Sequence, residues 1–347
     1  DAETASETVD ATAAGANVII ADGTENSVTG SYVARIYDPD SVVLSEDGMT
    51  VEDSGKLHKY DGAFYSKMSM NVDGGEAGTG VLNITADNEG LDTELHLTIN
   101  GGTINITSGN DGINTNEDNV SVTTVNGGSV NIQVTGETGE GDGIDSNGSI
   151  TMTGGTVFVS GPVSGGDGAI DFETDMTMTG GSILALSSRG MMEYPSTQHY
   201  YTTSISANAG DFIAVCDADG NVLMGMQTQK AVSDVVYYGD QMDNCQLIVD
   251  GTYSGTLSDD GTATDGTVSG GTAADSFQLT DGSEQSSAPG NFGDKGGTPP
   301  NNDEMPTFAD GEQPKPPQGE FGKGQQNGEN GAPTPPQGGQ PSENTTA

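Results

Sequence analysis

Gly pairs recur at Gly101-Gly102, Gly127-Gly128, Gly154-Gly155 and Gly180-Gly181, at spacings of 26, 27 and 26 residues. A looser copy stands at Gly74-Gly75, with an insertion before Gly80. A fixed period of this length marks a solenoid, in which one repeat cannot bury its apolar face and several stacked repeats can. The grammar inside each unit is constant. Alternating runs flank the Gly pair, as Leu97-Thr98-Ile99 and Ile104-Asn105-Ile106, and a third apolar residue follows in Asp111-Gly112-Ile113. Period-two alternation is the pattern of a strand with one buried face. Three short strands per unit, broken by Gly, Asn and Asp, make one coil of a parallel β-helix.

Aligned by this period, the apolar residues form three columns. The first is Ile99, Val125, Met152 and Met178. The second is Leu82, Ile104, Val130, Val157 and Ile183. The third is Phe64, Leu91, Ile113, Ile144 and Ile170. Coils stacked about 4.8 Å apart turn each column into a continuous apolar stripe. The Gly residues serve the corners, where a positive φ is needed.

The same alignment stacks acids. Before the third column stand Glu89, Asp111 and Asp142, with Asp167 one place earlier. Just after it come Asp92, Asn114, Asp145 and Asp171, and two residues further Glu94, Asn116, Asn147 and Glu173. The last two rows share one parity and are expected to face outward together. Carboxylates about 4.8 Å apart repel one another. The chain carries 9 Lys+Arg against 52 Asp+Glu, a net charge of −43, and from Gly74 to Met192 its only Lys or Arg is Arg189. A single Asp-Gly is an ordinary turn dipeptide. A column of acids over four units, with a second polar column beside it, favours Ca²⁺, which takes carboxylate, amide and carbonyl oxygens. The twelve residues of these rows are the expected metal ligands. No sugar-binding residue is assigned.

Charge and hydropathy exclude other classes. So acidic a chain repels nucleic-acid phosphates, and no apolar run approaches the length of a membrane span. Residues 1–16 read as a polar lead-in. A first residue other than Met is what a trimmed export signal leaves, so an extracellular or cell-surface location in a bacterium is expected. Residues 194–253 break the period. Runs such as Phe212-Ile213-Ala214-Val215 and Gln246-Leu247-Ile248-Val249 predict antiparallel hairpins, read as a β cap or small sandwich over the open end. Cys216 and Cys245 lie there, as a disulfide or as two buried thiols. Eleven of the 14 prolines fall between Pro289 and Pro341. Residues 254–347 therefore read as a disordered Gly/Pro-rich spacer, suited to tethering the folded part at a surface.

The stretches NVIIADGTENSVTG (17–30), DGAFYSK (61–67), LTINGGTINITSGNDGINTNED (97–118), EGDGIDSNGSITMTGGTV (140–157) and SSRGMMEYPSTQ (187–198) carry a resemblance. Over residues 17–253 the chain resembles the calcium-binding, right-handed parallel β-helix carbohydrate-binding domains of clostridial-type surface proteins. The resemblance implies an all-β fold with the helix over 17–193. It also implies calcium held by Asp111, Asp142, Asp145, Asp167 and Asp171, and binding of cellulose or polygalacturonate without hydrolysis. Many relatives carry further coils ahead of the stretch matching 17–30, where this chain has the polar lead-in. The last copy also departs from the pattern, as Asp167-Gly168-Ala169-Ile170.

Pectin-cleaving enzymes also use parallel β-helices. A polyuronate lyase needs a Lys or Arg base beside calcium, and the candidates are Arg189, Lys56, Lys59 and Lys67. The Asn-Thr-Asp, Gly-His-Gly and Arg-Ile-Lys signatures of β-helical polygalacturonases are absent. His58, His96 and His199 are isolated and read as structural or solvated. Binding without catalysis is the expectation, set against a lyase or hydrolase and against a calcium-stiffened adhesin with no sugar site. For neutral glucans the outward aromatic candidates are Tyr65, Phe158, Phe172 and Tyr194.

Overall fold

A computed structural model describes residues 15–30, 43–44, 51–53, 62–135, 141–163, 166–188, 192–195, 198–239, 242–274 and 276–282. Every regular element of any length among them is a β-strand.

Three parallel stacks build the solenoid. The first holds Gly15–Ile19, Ser69–Asp73, His96–Ile99 and Val122–Val125. The second holds Glu25–Gly30, Val81–Ala86, Thr103–Ser108 and Ser129–Val134. In the last two coils the Gly corner no longer interrupts the strand. Ser149–Ser160 and Asp175–Ser187 each run through both stacks and join them into one sheet. The third stack is a separate five-stranded sheet of Gly62–Ser66, Glu89–Thr93, Ile113–Thr115, Ile144–Ser146 and Ile170–Phe172.

The three apolar columns coincide with the pairing register. Val72, Ile99, Val125, Met152 and Met178 are successive partners. So are Leu82, Ile104, Val130, Val157 and Ile183, and Phe64, Leu91, Ile113, Ile144 and Ile170. All are buried in one continuous core. The second Gly of each pair takes the positive φ, from 80° at Gly181 to 88° at Gly102. A Cβ on Gly128 would sit 2.5 Å from the Gly102 carbonyl oxygen, so the corners exclude a side chain for space as well as for φ.

The outward face of the second stack carries an amide ladder. Asn131 Nδ2 donates to Asn105 Oδ1 at 2.7 Å, Asn105 Nδ2 to Asn83 Oδ1 at 2.7 Å, and Asn83 Nδ2 to Glu25 Oε1 at 2.9 Å. On the next two rungs the same position is Phe158 and then Leu184. There the outer face turns apolar and receives the cap. Phe158, Leu184 and Leu186 are buried in one cluster with Ile213, Met224, Val235 and Leu247 of the cap. Phe158 is therefore not an outward platform; it is 2% exposed beneath the cap.

The cap closes the solenoid by pairing. Val232–Tyr238 lies antiparallel to Ile183–Ser187 of the last coil and satisfies its backbone edge. His199–Ala207 and then Gln278–Asp281 extend that sheet. A second antiparallel sheet has the order Thr262–Ala263, Val222–Gln227, Phe212–Cys216, Gln246–Val249, Thr272–Ala273. Cys216 and Cys245 are buried free thiols that pack in separate apolar clusters of the cap.

Two expected boundaries move. The first strand opens at Gly15, inside the predicted lead-in. The predicted spacer does not begin at residue 254, because cap strands continue to Asp281. Edge strands of two to four residues need little apolar sequence, and Phe277, 7% exposed and stacked on Tyr201, anchors the last of them. The rest of the predicted spacer, residues 283–347, lies outside the described residues, as do Arg189, Lys56, Lys59, His58 and residues 1–14.

Candidate functional site

The acid rows lie on the third sheet in the predicted register. Tyr65, Asp92, Asn114, Asp145 and Asp171 are successive partners. In the row before them, Gly90 N–H donates to the Asp111 carbonyl, Gly112 N–H to that of Asp142, and Gly143 N–H to that of Gly168. Glu89, Asp111 and Asp142 thus stand one above the other. In the row after them, Asn116 N–H donates to Thr93 O, Asn147 N–H to Thr115 O and Glu173 N–H to Ser146 O.

The rows do not simply face solvent. Glu89 is 1% exposed, Asp92 0%, Asp111 7%, Asn114 7% and Asp142 7%. The strands of this sheet are short, so side chains of the flanking rows fold over the central one. Asn116 Nδ2 donates to Asp92 Oδ1 at 2.7 Å, and Asn114 Nδ2 to Glu89 Oε1 and Asp111 Oδ2 at 3.2 Å each. Glu94 accepts from Tyr65 Oη at 2.9 Å.

The structure sorts the twelve predicted ligands into groups. Asp142, Asp145 and Asp171 converge, each with a carboxylate oxygen within 4.8 Å of the others. Glu89, Asp111 and Asn114 form a second group one coil below, joined by hydrogen bonds. Asp92 and Asn116 pair beside it. Asn147 turns to the surface, donating to Asp118 Oδ1 at 2.9 Å and Asn116 O at 2.8 Å. Glu173 is exposed. Asp167 misses the rung. Gly168 occupies it, and its N–H donates to Asp142 Oδ1 at 2.6 Å.

Electrostatics follow from this crowding. Burial is the first cause that pushes the Asp142 carboxyl up to about 9, and the neighbouring Asp111, Asp171 and Asp145 push it the same way. At an effective dielectric of 20, two unit charges 4.8 Å apart repel by roughly 3.5 kcal/mol. Two ligands on opposite sides of one hard cation, with bonds of about 2.4 Å, are themselves about 4.8 Å apart. The Asp142, Asp145 and Asp171 oxygens lie within that distance of one another. One coil below, the buried Asn114 Oδ1 has no hydrogen-bond partner among the described residues. Such an oxygen is costly to bury unless something binds it. Oxygen ligands alone, with no Cys or clustered His, suit a hard cation rather than zinc.

One sequence family, described as carbohydrate-binding domain-containing protein, matches residues 2–276. The chain belongs to this carbohydrate-binding domain family. No curated protein and no solved structure matches it. The match takes in the solenoid and the cap as far as residue 276.

The acid cluster of this carbohydrate-binding chain has one member that the repeat does not announce. Glu193 N–H donates to Ile170 O at 2.9 Å, which stacks the short segment 192–195 on the last coil. Its Oε2 accepts from Phe172 N–H at 3.0 Å. Burial, then Asp171, raises the Glu193 carboxyl to about 7. Glu193 lies in a segment without the Asp-Gly-Ile grammar, so period alignment passes over it. Its one signal in the sequence is the matched stretch SSRGMMEYPSTQ. Of the described histidines, His96 Nδ1 accepts from Val122 N–H at 3.1 Å, a structural position, and His199 is exposed, 3.7 Å from Asp281.

Proposed function

We propose that this chain is a non-catalytic, calcium-dependent binder of plant cell-wall polysaccharide, acting outside the cell or at its surface. The preferred ligand is an acidic, pectin-type chain such as polygalacturonate. The observation that carries the reading is the convergence of Asp142, Asp145 and Asp171 on a column of buried acids. Glu89, Asp111, Asn114, Asp142, Asp145, Asp171 and Glu193 would hold calcium, with Asp92 and Asn116 beside them. Asp145 and Asp171 are half-buried. A calcium ion there keeps a solvent-facing side, and a sugar carboxylate can complete its shell. That would let a chain at −43 bind a polyanion that it otherwise repels.

The scarcity of cations between Gly74 and Met192 supports binding without catalysis, since a lyase needs a basic residue beside the metal. The Gly/Pro-rich residues 283–347 suit a tether. The test is retention on immobilised polygalacturonate and on cellulose, with calcium and with excess chelator. Retention on polygalacturonate that depends on calcium, without shortening of the polymer, supports the reading. Retention unchanged after calcium removal, or release of unsaturated fragments, would overturn it.

A further inference from the structure

The cap grips the solenoid at the end of one strand, Ser129–Val134. Gln133 Nε2 donates to Asp260 O at 3.5 Å, and Lys230 Nζ donates to Val134 O. Lys230 stands in the cap turn between Val222–Gln227 and Val232–Tyr238. It is half-buried. Burial pushes its amine down to about 8, and no carboxylate among the described residues offsets that. A neutral amine still has an N–H to give, so the bond to Val134 holds in either protonation state.

The lysine answers a gap in the backbone ladder. At the ends of the strands in the second stack, each rung donates to the one below. Gly109 N–H donates to Ala86 O at 3.0 Å, and Thr135 N–H to Ser108 O at 2.7 Å. Ala86, Ser108 and Val134 are successive partners. One rung higher, Gln133 pairs with Ser160. Continuing that register puts Gly161 above Val134, and puts Pro162 at the place from which Gly109 and Thr135 donate. Proline has no N–H. Val134 is 2% exposed, so little water can reach its carbonyl. Pro162 is buried, and its own carbonyl accepts from Ser188 N–H at 2.9 Å. The rung is in place and only its donor is missing. Lys230 supplies one from the cap.

A short chain of contacts joins this gap to the acid cluster. Gly161 lies so near the next corner that a Cβ on it would sit 2.7 Å from Ala169 Cα. Ala169 O accepts from Ile144 N–H at 3.1 Å. The residue before it, Gly168, donates its N–H to Asp142 Oδ1 at 2.6 Å. Close-packed contacts transmit displacement, so slack at Gly161 and Pro162 reaches the N–H that holds the Asp142 carboxyl.

We propose that Lys230 is a positioning residue: its amine replaces the N–H that Pro162 lacks, and through it the cap holds the rung that presents Asp142. The consequence for metal rests on the calcium reading of the acid column; the replacement of the donor does not. Docking of the cap completes the acid column, and undocking loosens it.

The experiment is hydrogen–deuterium exchange of the full chain in chelator, then calcium titration calorimetry, on Lys230→Met, Pro162→Ala and the double variant. Lys230→Met keeps most of the alkyl chain and removes the donor. Pro162→Ala returns a backbone N–H to the gap. In Lys230→Met, exchange over 141–146 and 166–172 is expected to quicken about tenfold, while the lower coils over 81–108 stay within about twofold. The double variant is expected to return close to the wild type. Calcium affinity is expected to fall at least fivefold in Lys230→Met and to recover in the double variant. If Lys230→Met fails to fold, a double variant that folds is the same rescue. Exchange that Lys230→Met leaves unchanged, or that quickens equally in the lower coils, overturns the proposal. So does a double variant that shows no rescue, or a calcium affinity that Lys230→Met leaves untouched. A wild-type chain that binds no calcium sinks the acid-site reading alone, and the exchange rates then decide the role of Lys230.

Discussion

Two outward columns of the solenoid share one repeat and opposite chemistry. Asn83, Asn105 and Asn131 stack on the second sheet; Asp92, Asn114, Asp145 and Asp171 stack on the third. An amide is both donor and acceptor, so each Asn donates to the residue below it and the ladder is linked from Asn131 down to Glu25. An ionised carboxylate only accepts, so the acids draw on neighbouring amides and backbone N–H groups, as from Asn114, Asn116 and Gly168. The same register links one column through its own amides and crowds carboxylates in the other, where a proton or a cation would relieve the repulsion. The contrast shows that a repeat determines where side chains meet, and their donor count determines whether a third party is needed.

The largest expected effect tests whether the acid column needs a cation. Calcium at about a thousand times its dissociation constant stabilises the native state by about 4 kcal/mol. Chelation should lower the denaturant midpoint accordingly. Identical midpoints with and without calcium would leave the acid column needing no metal.

Next, Asn105→Asp converts one amide rung into a carboxylate. It loses the donor to Asn83 and sets acceptor against acceptor. The half-buried site should cost about 2–3 kcal/mol at pH 7, and calcium should not restore it. The matching change Asn114→Asp, in the acid column, should cost under about 1 kcal/mol when calcium is present. Equal losses at the two positions would erase the distinction.

A smaller effect is the pH dependence of the calcium-free protein. The folded Asp142 carboxyl, raised to about 9 from an ordinary 3.8, holds its proton more tightly than the unfolded chain does. Its contribution to stability is complete below pH 3.8 and is lost as the pH rises through about 9. Glu193, raised to about 7, acts in the same direction. In chelator the protein should melt at a higher temperature at pH 5.5 than at pH 8.5. With calcium, which needs ionised ligands, that difference should shrink or reverse. A calcium-free melting temperature that climbs with pH would contradict the raised carboxyls.

The smallest effect is none. Cys216 and Cys245 pack as free thiols in different clusters, so reductant should leave the melting temperature unchanged. A drop of several degrees would mean that the two had paired.

The solenoid was legible because its information is periodic. Ile99, Ile104 and Ile113 each recur once per coil, and parallel stacking converts sequence period directly into contact. The acid rows were legible by the same rule. Their burial was not, because whether Asp92 is covered depends on how Asn116 and its neighbours fold over it. Glu193 escaped for lack of a repeat. Phe158 was read correctly as pointing away from the solenoid core, but an alternation pattern cannot say that a later part of the chain will cover that face. The extension of the cap past residue 254 was hidden by its Gly, Thr and Asp content, since strands of two residues leave almost no periodic trace.

The switch from Asn131 to Phe158 on one outward column has a consequence for how such proteins change length. Below the switch every rung is interchangeable, since each Asn meets only the ones above and below it. Above it, Phe158 and Leu184 form a landing strip that only the cap fits. A whole 26-residue coil inserted beneath Thr103 would add one rung and leave the cap in place. Growth by internal duplication is thereby confined to the end away from the cap.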